Sequence, residues 1–198
     1  RIFDKAGYIM MVDLIDYIFP DSKHIFCIRD PRVVACSYFY LLKNNGFSRF
    51  GIDDYNFPGF EDRKYFFSFF ENIIWQVEQV FYYAMKYYQF LGDERFIPIR
   101  YEDLIDDVEG NIKNIFSKLE LNFQNNYFDL LPKNLHKYNL TNKKGKGLYY
   151  LDNKLSDMQL NNLKKLEDLA ISLGYKSDSF SETIDTFNIK NLKDYFGL

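Results

Sequence analysis

The sequence predicts an α/β fold with a parallel sheet, and three observations carry this. Two short apolar runs, His24–Ile28 and Arg95–Arg100, read as buried strands. Amphipathic stretches at helical spacing lie before, between and after them. The resulting order is helix, strand, helix, long helix, strand, helix, helix, which is the pattern of parallel strands joined by helices.

Each element has a local cause. Tyr8–Phe19 carries apolar residues at helical spacing and stops at Pro20. The turn residues Pro20-Asp21-Ser22 precede the strand His24–Ile28. Asp30 then Pro31 is an N-cap followed by proline in the first helical position, so a helix begins there and runs to about Leu42. Asn44–Phe60 holds three glycines, a proline and five aromatics without a period, and reads as a long surface loop. A long aromatic-rich helix spans Asp62–Leu91 and ends at Gly92. In the second strand Pro98 is a blemish. Asp107 caps a helix to about Leu119, and Ser156-Asp-Met-Gln159 is a capping box that opens a helix to Leu173, stopped by Gly174. A weak helical stretch at Ile189–Phe196 ends the chain. The expected organisation is one domain over 1–178 and a tail over 179–198. Two strong strands are few for such a sheet, so further strands are expected upstream of Arg1.

Composition narrows the function. At 198 residues the chain is long enough to bury roughly 70% of its unfolded surface without a metal or disulfide staple. A net charge of -3 argues against a general nucleic-acid binder. The two cysteines, Cys27 and Cys36, exclude a disulfide scaffold and read as buried thiols in a reducing compartment, which with the absence of any apolar run near 18 residues gives a cytoplasmic expectation. The two histidines, His24 and His136, lack partners at metal-site spacing, so no metal is expected. The high aromatic share, 20%, comes with few Ala and many Asn and Lys; it reads as codon bias and not as function.

The informative segment is Phe19–Tyr38. A strand ends in Arg29 and a capped helix starts at once; free N–H groups there attract anions, and Arg29 adds a planar donor fork suited to phosphate. Ser37 lies two turns along and offers a hydroxyl toward the helix start. Two readings are open: a phosphate or sulfate site, or a strand-to-helix turn with Arg29 and Arg32 in surface ion pairs. His24 within the strand reads as a core or edge histidine, His136 as a solvated loop residue, and Trp75 as helix packing.

Arg29-Asp30-Pro31-Arg32 with Ser37 resembles the 3′-phosphate motif of the sulfotransferases that use 3′-phosphoadenosine 5′-phosphosulfate, and Phe19-Pro-Asp-Ser-Lys23 is similar to its usual lead-in. Ile99-Arg-Tyr-Glu-Asp-Leu104 resembles a second segment of that family, in which the tyrosine sits against the adenine. Lys143-Lys144-Gly145, followed by Leu155-Ser156 and a helix to Gly174-Tyr175, resembles a third, a basic turn that closes over the 3′-phosphate. The resemblance spans about residues 1–175. It implies a P-loop-like three-layer α/β/α fold with a parallel sheet, apparently N-terminally truncated, because the family's 5′-phosphosulfate loop precedes everything seen here. It also implies donor binding by Arg29, Ser37, Tyr101, Lys143, Lys144 and Gly145. Lys146 competes with Lys143 for its place, and a core tyrosine is the alternative for Tyr101.

The function implied is transfer of a sulfuryl group from that donor to a hydroxyl or amine acceptor, with no metal and no nucleic acid. The Asn44–Phe60 loop is the candidate acceptor wall. Cytosolic members place a catalytic His just after a Lys in the region matching Phe3–Gly7, and Gly7 stands there instead, so the catalytic residue is unknown. The alternative is a non-catalytic adenosine-phosphate binding module on the same fold. Without its neighbour the edge of the His24–Ile28 strand is exposed, so self-association into a homo-oligomer is an expectation as well.

Overall fold

The computed structural model describes residues 9, 12–45, 58–59, 67–124, 155–178, 183 and 187–198. In chain order the elements are α1 (Val12–Ile18), β1 (His24–Ile28), α2 (Pro31–Asn45), α3 (Phe69–Arg95), β2 (Phe96–Arg100), α4 (Tyr101–Asp106), α5 (Val108–Lys118), α6 (Asp157–Leu163), a 3-10 turn at Lys164–Leu166, α7 (Glu167–Ser172) and α8 (Ile189–Phe196). The fold is α/β: β1 and β2 pair in parallel, with His24 opposite Phe96 and Ile28 opposite Arg100.

The strands differ in burial. In β1 exposed Ile25 and Cys27 alternate with Phe26 and Ile28, whereas β2 is buried along its length except for half-buried Pro98. A strand covered on both faces reads as a continuous apolar run, which Phe96–Ile99 is. Both thiols were expected inside; Cys36 is buried and Cys27 faces out, because it lies on the outward side of the β1 pleat.

The long helix α3 organises the core. Ser68 caps it through a capping box, with the Ser68 hydroxyl accepting from the Glu71 N–H and the Glu71 carboxylate accepting from the Ser68 N–H. The start is therefore Phe69 and not Asp62. Phe70, Ile73, Ile74, Val77, Phe81 and Met85 form one apolar stripe, packed with Ala35, Cys36 and Phe39 of α2 and with Leu163, Leu166, Leu169 and Leu173. Ala84, Tyr87 and Leu91 turn toward Val12 of α1 and Phe96 of β2. Phe26 joins the two clusters, its ring 5.9 Å from Phe81 and 5.6 Å from Phe96. Phenylalanine and tyrosine thus fill much of the packing.

Gly92 interrupts α3 with φ 70° and ψ 179°, a conformation open essentially to glycine alone; one more turn then leads into β2. Gly92→Ala should therefore cost about 1–3 kcal/mol of stability, read as a lowered urea midpoint at unchanged slope, although nothing crowds the position sterically. After this turn Arg95 pairs with Asp16 and donates to the Pro20 carbonyl, tying α1 to the start of β2.

The C-terminal stretch packs on the same core. The helix predicted as continuous from Ser156 to Leu173 is broken by a 3-10 turn at Lys164–Leu166, where Leu166 is fully buried. Gly174, with φ 80°, stops it, and the Tyr175 N–H returns to the Ala170 carbonyl. Leu192 of α8 is buried in the main cluster, and Tyr195 donates to Glu78 of α3 at 3.1 Å.

Candidate functional site

The in-phase pairing of β1 and β2 determines what meets at their carboxyl ends. Because Ile28 faces Arg100, the next residues, Arg29 and Tyr101, stand side by side. The Arg29 guanidinium lies over the Tyr101 ring, 4.8 Å from its centroid. The first two motifs read from the sequence, 72 residues apart, converge here. Ligands in open α/β sheets bind outside the carboxyl ends of the strands, where this pair sits.

The Arg29 side chain is half-buried. Its Nε is shut off from water and has no hydrogen-bond partner among the described residues. A buried donor without a partner costs free energy, so it marks a place where an acceptor belongs. Tyr101 is half-buried as well, and its ring face carries the guanidinium, so it is not enclosed in the core.

Asp30 and Arg32 make a different arrangement from the surface ion pairs weighed above. Asp30 is completely buried and Arg32 is 2% exposed. Arg32 presents its fork to Asp30, Nε to Oδ1 at 3.0 Å and Nη2 to Oδ2 at 2.9 Å. It also donates to the carbonyls of Lys176 (2.7 Å) and Ser177 (2.8 Å). Asp30 in addition accepts from the Arg32 N–H at 3.0 Å, which is the N-cap of α2. The planar fork satisfies a carboxylate and two carbonyls at once, a geometry lysine cannot reproduce. Arg32 is therefore a clamp that fixes the strand-to-helix turn, and Arg29 takes no part in it, lying instead over Tyr101.

A second arginine repeats the device one strand over. Arg100, 3% exposed, bonds both carboxylate oxygens of Asp103 through Nε at 3.1 Å and donates to the carbonyls of Leu173 (3.2 Å) and Gly174 (3.4 Å). Between the two clamps, fully buried Tyr175 donates its hydroxyl to Glu102 Oε2 at 2.6 Å. Burial pushes the Glu102 carboxyl above its ordinary range, against the hydrogen bond from Tyr175 and the pull of Arg29. Burial and the neighbouring Glu102 charge push the Tyr175 hydroxyl well up. Sequence reasoning did not single out Arg100, Glu102 and Tyr175. The signal available was their position: Arg100 and Glu102 flank Tyr101 at the end of a buried strand.

Ser37 is exposed on α2, two turns from Asp30. Lys143, Lys144, Gly145 and Lys146 lie outside the described residues, as do His136, the Phe3–Gly7 region and all of the Asn44–Phe60 loop except Asn44, Asn45, Pro58 and Gly59. His24 is half-buried in β1 and shares a 2.9 Å hydrogen bond with Ser22 Oγ; burial lowers its pKa, with Asp16 opposing. It lies at the amino end of the strand, the end away from Arg29. Among the described residues, no group of three or more His, Cys, Asp or Glu is placed to hold a metal ion, and no helix is long and apolar enough to cross a membrane.

Residues 1–125 match the model of the sulfotransferase family, a span that contains β1, α2, α3, β2 and the Arg29–Tyr101 pair. Two curated relatives are omega-hydroxy-beta-dihydromenaquinone-9 sulfotransferases from Mycobacterium bovis and Mycobacterium tuberculosis, each 28% identical over 104 residues. The matched stretch covers 52% of this chain and 24% of each relative, so the chain corresponds to about a quarter of their length. No solved structure matches the chain.

Proposed function

The chain belongs to the sulfotransferase family, and we propose that Arg29, Tyr101 and Ser37 hold the 3′-phosphate and adenine end of 3′-phosphoadenosine 5′-phosphosulfate. The observation that carries this reading is the Arg29 guanidinium stacked over Tyr101 at the ends of two parallel strands, with a buried donor still to be satisfied. The 3′-phosphate meets the Arg29 fork and the Ser37 hydroxyl, and the adenine lies near Tyr101. By its resemblance to the family's closing turn, Lys143-Lys144-Gly145 is proposed to bind the same phosphate.

The reaction proposed is an in-line displacement. The acceptor oxygen or nitrogen forms a bond to sulfur as the bond from sulfur to the bridging phosphate oxygen breaks. The acceptor proton passes to a base, and adenosine 3′,5′-bisphosphate leaves with the bonding electrons. The residues described here act at the far end of the donor. Their contribution is remote binding energy and alignment of the donor, which accelerates displacement only if the sulfuryl group is held in line. A hydroxyl acceptor is favoured by the relatives, whose names carry an ω-hydroxy compound. The Asn44–Phe60 loop, with its five aromatics, is proposed to line the acceptor side.

Calorimetric titration of the chain with adenosine 3′,5′-bisphosphate tests this reading. Ser37→Ala should weaken binding by about 0.5–1.5 kcal/mol, the net value of one hydrogen bond, and leave the melting temperature of this exposed position unchanged. Unaltered affinity would remove Ser37 from the site.

A further inference from the structure

Glu102 lies at the base of the Arg29–Tyr101 pair, and the donor reading gives it no task. It is 8% exposed and follows Tyr101 in α4. Tyr175 satisfies one of its oxygens, Oε2, at 2.6 Å. The other, Oε1, is buried without a hydrogen-bond partner among the described residues, as is Arg29 Nε. Two buried polar atoms, one on a cation and one on an acid, thus stand without hydrogen-bond partners at the ends of adjacent strands.

The charged and titratable neighbours come from four elements. Arg29 extends from β1, Asp30 caps α2, Arg100 ends β2, and Tyr175 follows α7. Asp30 is held in the fork of Arg32, and Arg100 is committed to Asp103 and two carbonyls. Arg29 remains as the cation that balances Glu102.

We propose that Glu102 is the internal counter-charge of Arg29, a positioning residue that keeps the guanidinium over Tyr101 before nucleotide binds and takes up one proton when a phosphate engages that guanidinium. This rests on the reading of Arg29 as the phosphate fork. The physics is that of coupled charges. Burial already raises the Glu102 carboxyl, and the Arg29 charge is one of the restraints on that rise. A phosphate on Arg29 cancels the restraint and adds a second anion, so the carboxyl rises further. A group with a higher pKa in the complex than in the free protein binds a proton on complex formation, so it makes binding stronger at low pH and weaker as pH rises. The proton comes from solvent and adds to Oε1, and it returns to solvent when the nucleotide leaves.

The test is calorimetric titration of the chain with adenosine 3′,5′-bisphosphate near pH 7.5, in two buffers of different ionisation enthalpy. Near this pH the ligand's own phosphates, with a second pKa of about 6, are already mostly ionised. Wild type should show net proton uptake, and Glu102→Gln, which keeps the size and the bond to Tyr175, should show none. At about pH 8 the variant should bind roughly threefold to tenfold more tightly, because the repulsion removed outweighs the loosening of a guanidinium that Tyr101 still supports. This advantage should shrink as pH falls toward 5.5. No proton uptake by wild type, or equal uptake by both proteins, overturns the proposal. Should Glu102→Gln not fold, the two-buffer measurement on wild type decides alone. Binding that survives Arg29→Ala undiminished overturns the phosphate reading itself, which separates that failure from the failure of the Glu102 assignment.

Discussion

Arg32→Ala is expected to destabilise the protein by about 3–5 kcal/mol, the usual cost of removing one partner from a buried ion pair. The substitution strands a fully buried Asp30 carboxylate and takes the donors from the Lys176 and Ser177 carbonyls. Against a typical total of about 5–15 kcal/mol, the loss is large enough to unfold a marginal domain. Chemical denaturation followed by circular dichroism checks it: the midpoint should fall steeply, or the variant should be unfolded at the start. Arg32→Lys should recover only part of the loss, because a point charge replaces a fork that reaches a carboxylate and two carbonyls together. A midpoint within experimental error of wild type would show that the clamp is not the structural element described here.

Arg29→Ala, three residues away, is expected to do the opposite. Its Nε has no hydrogen-bond partner to lose among the described residues; what goes is the stacking on Tyr101 and the through-space balance of Glu102, so the denaturation midpoint should fall by far less than in Arg32→Ala. Affinity for adenosine 3′,5′-bisphosphate should drop by about 1.5–3 kcal/mol, or roughly tenfold to 150-fold, as expected for a charge-assisted hydrogen bond to phosphate. Titration calorimetry and a denaturation curve on the same preparation separate the two quantities. The contrast between the arginines is the useful result: both belong to one four-residue motif, yet one should affect stability and the other binding. Loss of stability in Arg29→Ala without loss of affinity would reverse the assignment.

This division of labour could not be read from the sequence. The motif Arg29-Asp30-Pro31-Arg32 announces a capped helix start and a phosphate-compatible fork, and both features are local. Which arginine turns inward depends on the carbonyls of Lys176 and Ser177, which no spacing rule connects to Arg32. Glu102 and Tyr175 are likewise 73 residues apart and meet only in the folded chain. The strand His24–Ile28 was legible to the residue because a turn precedes it and an N-cap follows. The short helix Tyr101–Asp106 was not, since its N-cap position, Arg100, supplies no side-chain cap and its six residues show no full period. The start of α3 was readable in principle: Ser68 and Glu71 form the same capping box that marked Ser156 and Gln159. The aromatic run before Ser68 obscured it. Convergence of Arg29 and Tyr101 followed from two separate motifs plus a parallel register, and only the register had to come from the structure.

The central claim is that the end of the β1–β2 pair recognises the 3′-phosphate of an adenosine nucleotide. Competitive titration of the chain with adenosine 3′,5′-bisphosphate and adenosine 5′-monophosphate tests it most directly, because the two ligands differ in that phosphate alone. The account predicts binding of the bisphosphate at least tenfold tighter, the equivalent of about 1.4 kcal/mol, with the difference abolished in Arg29→Ala. Equal affinity for the two nucleotides, or a preference that survives removal of the Arg29 guanidinium, would contradict it.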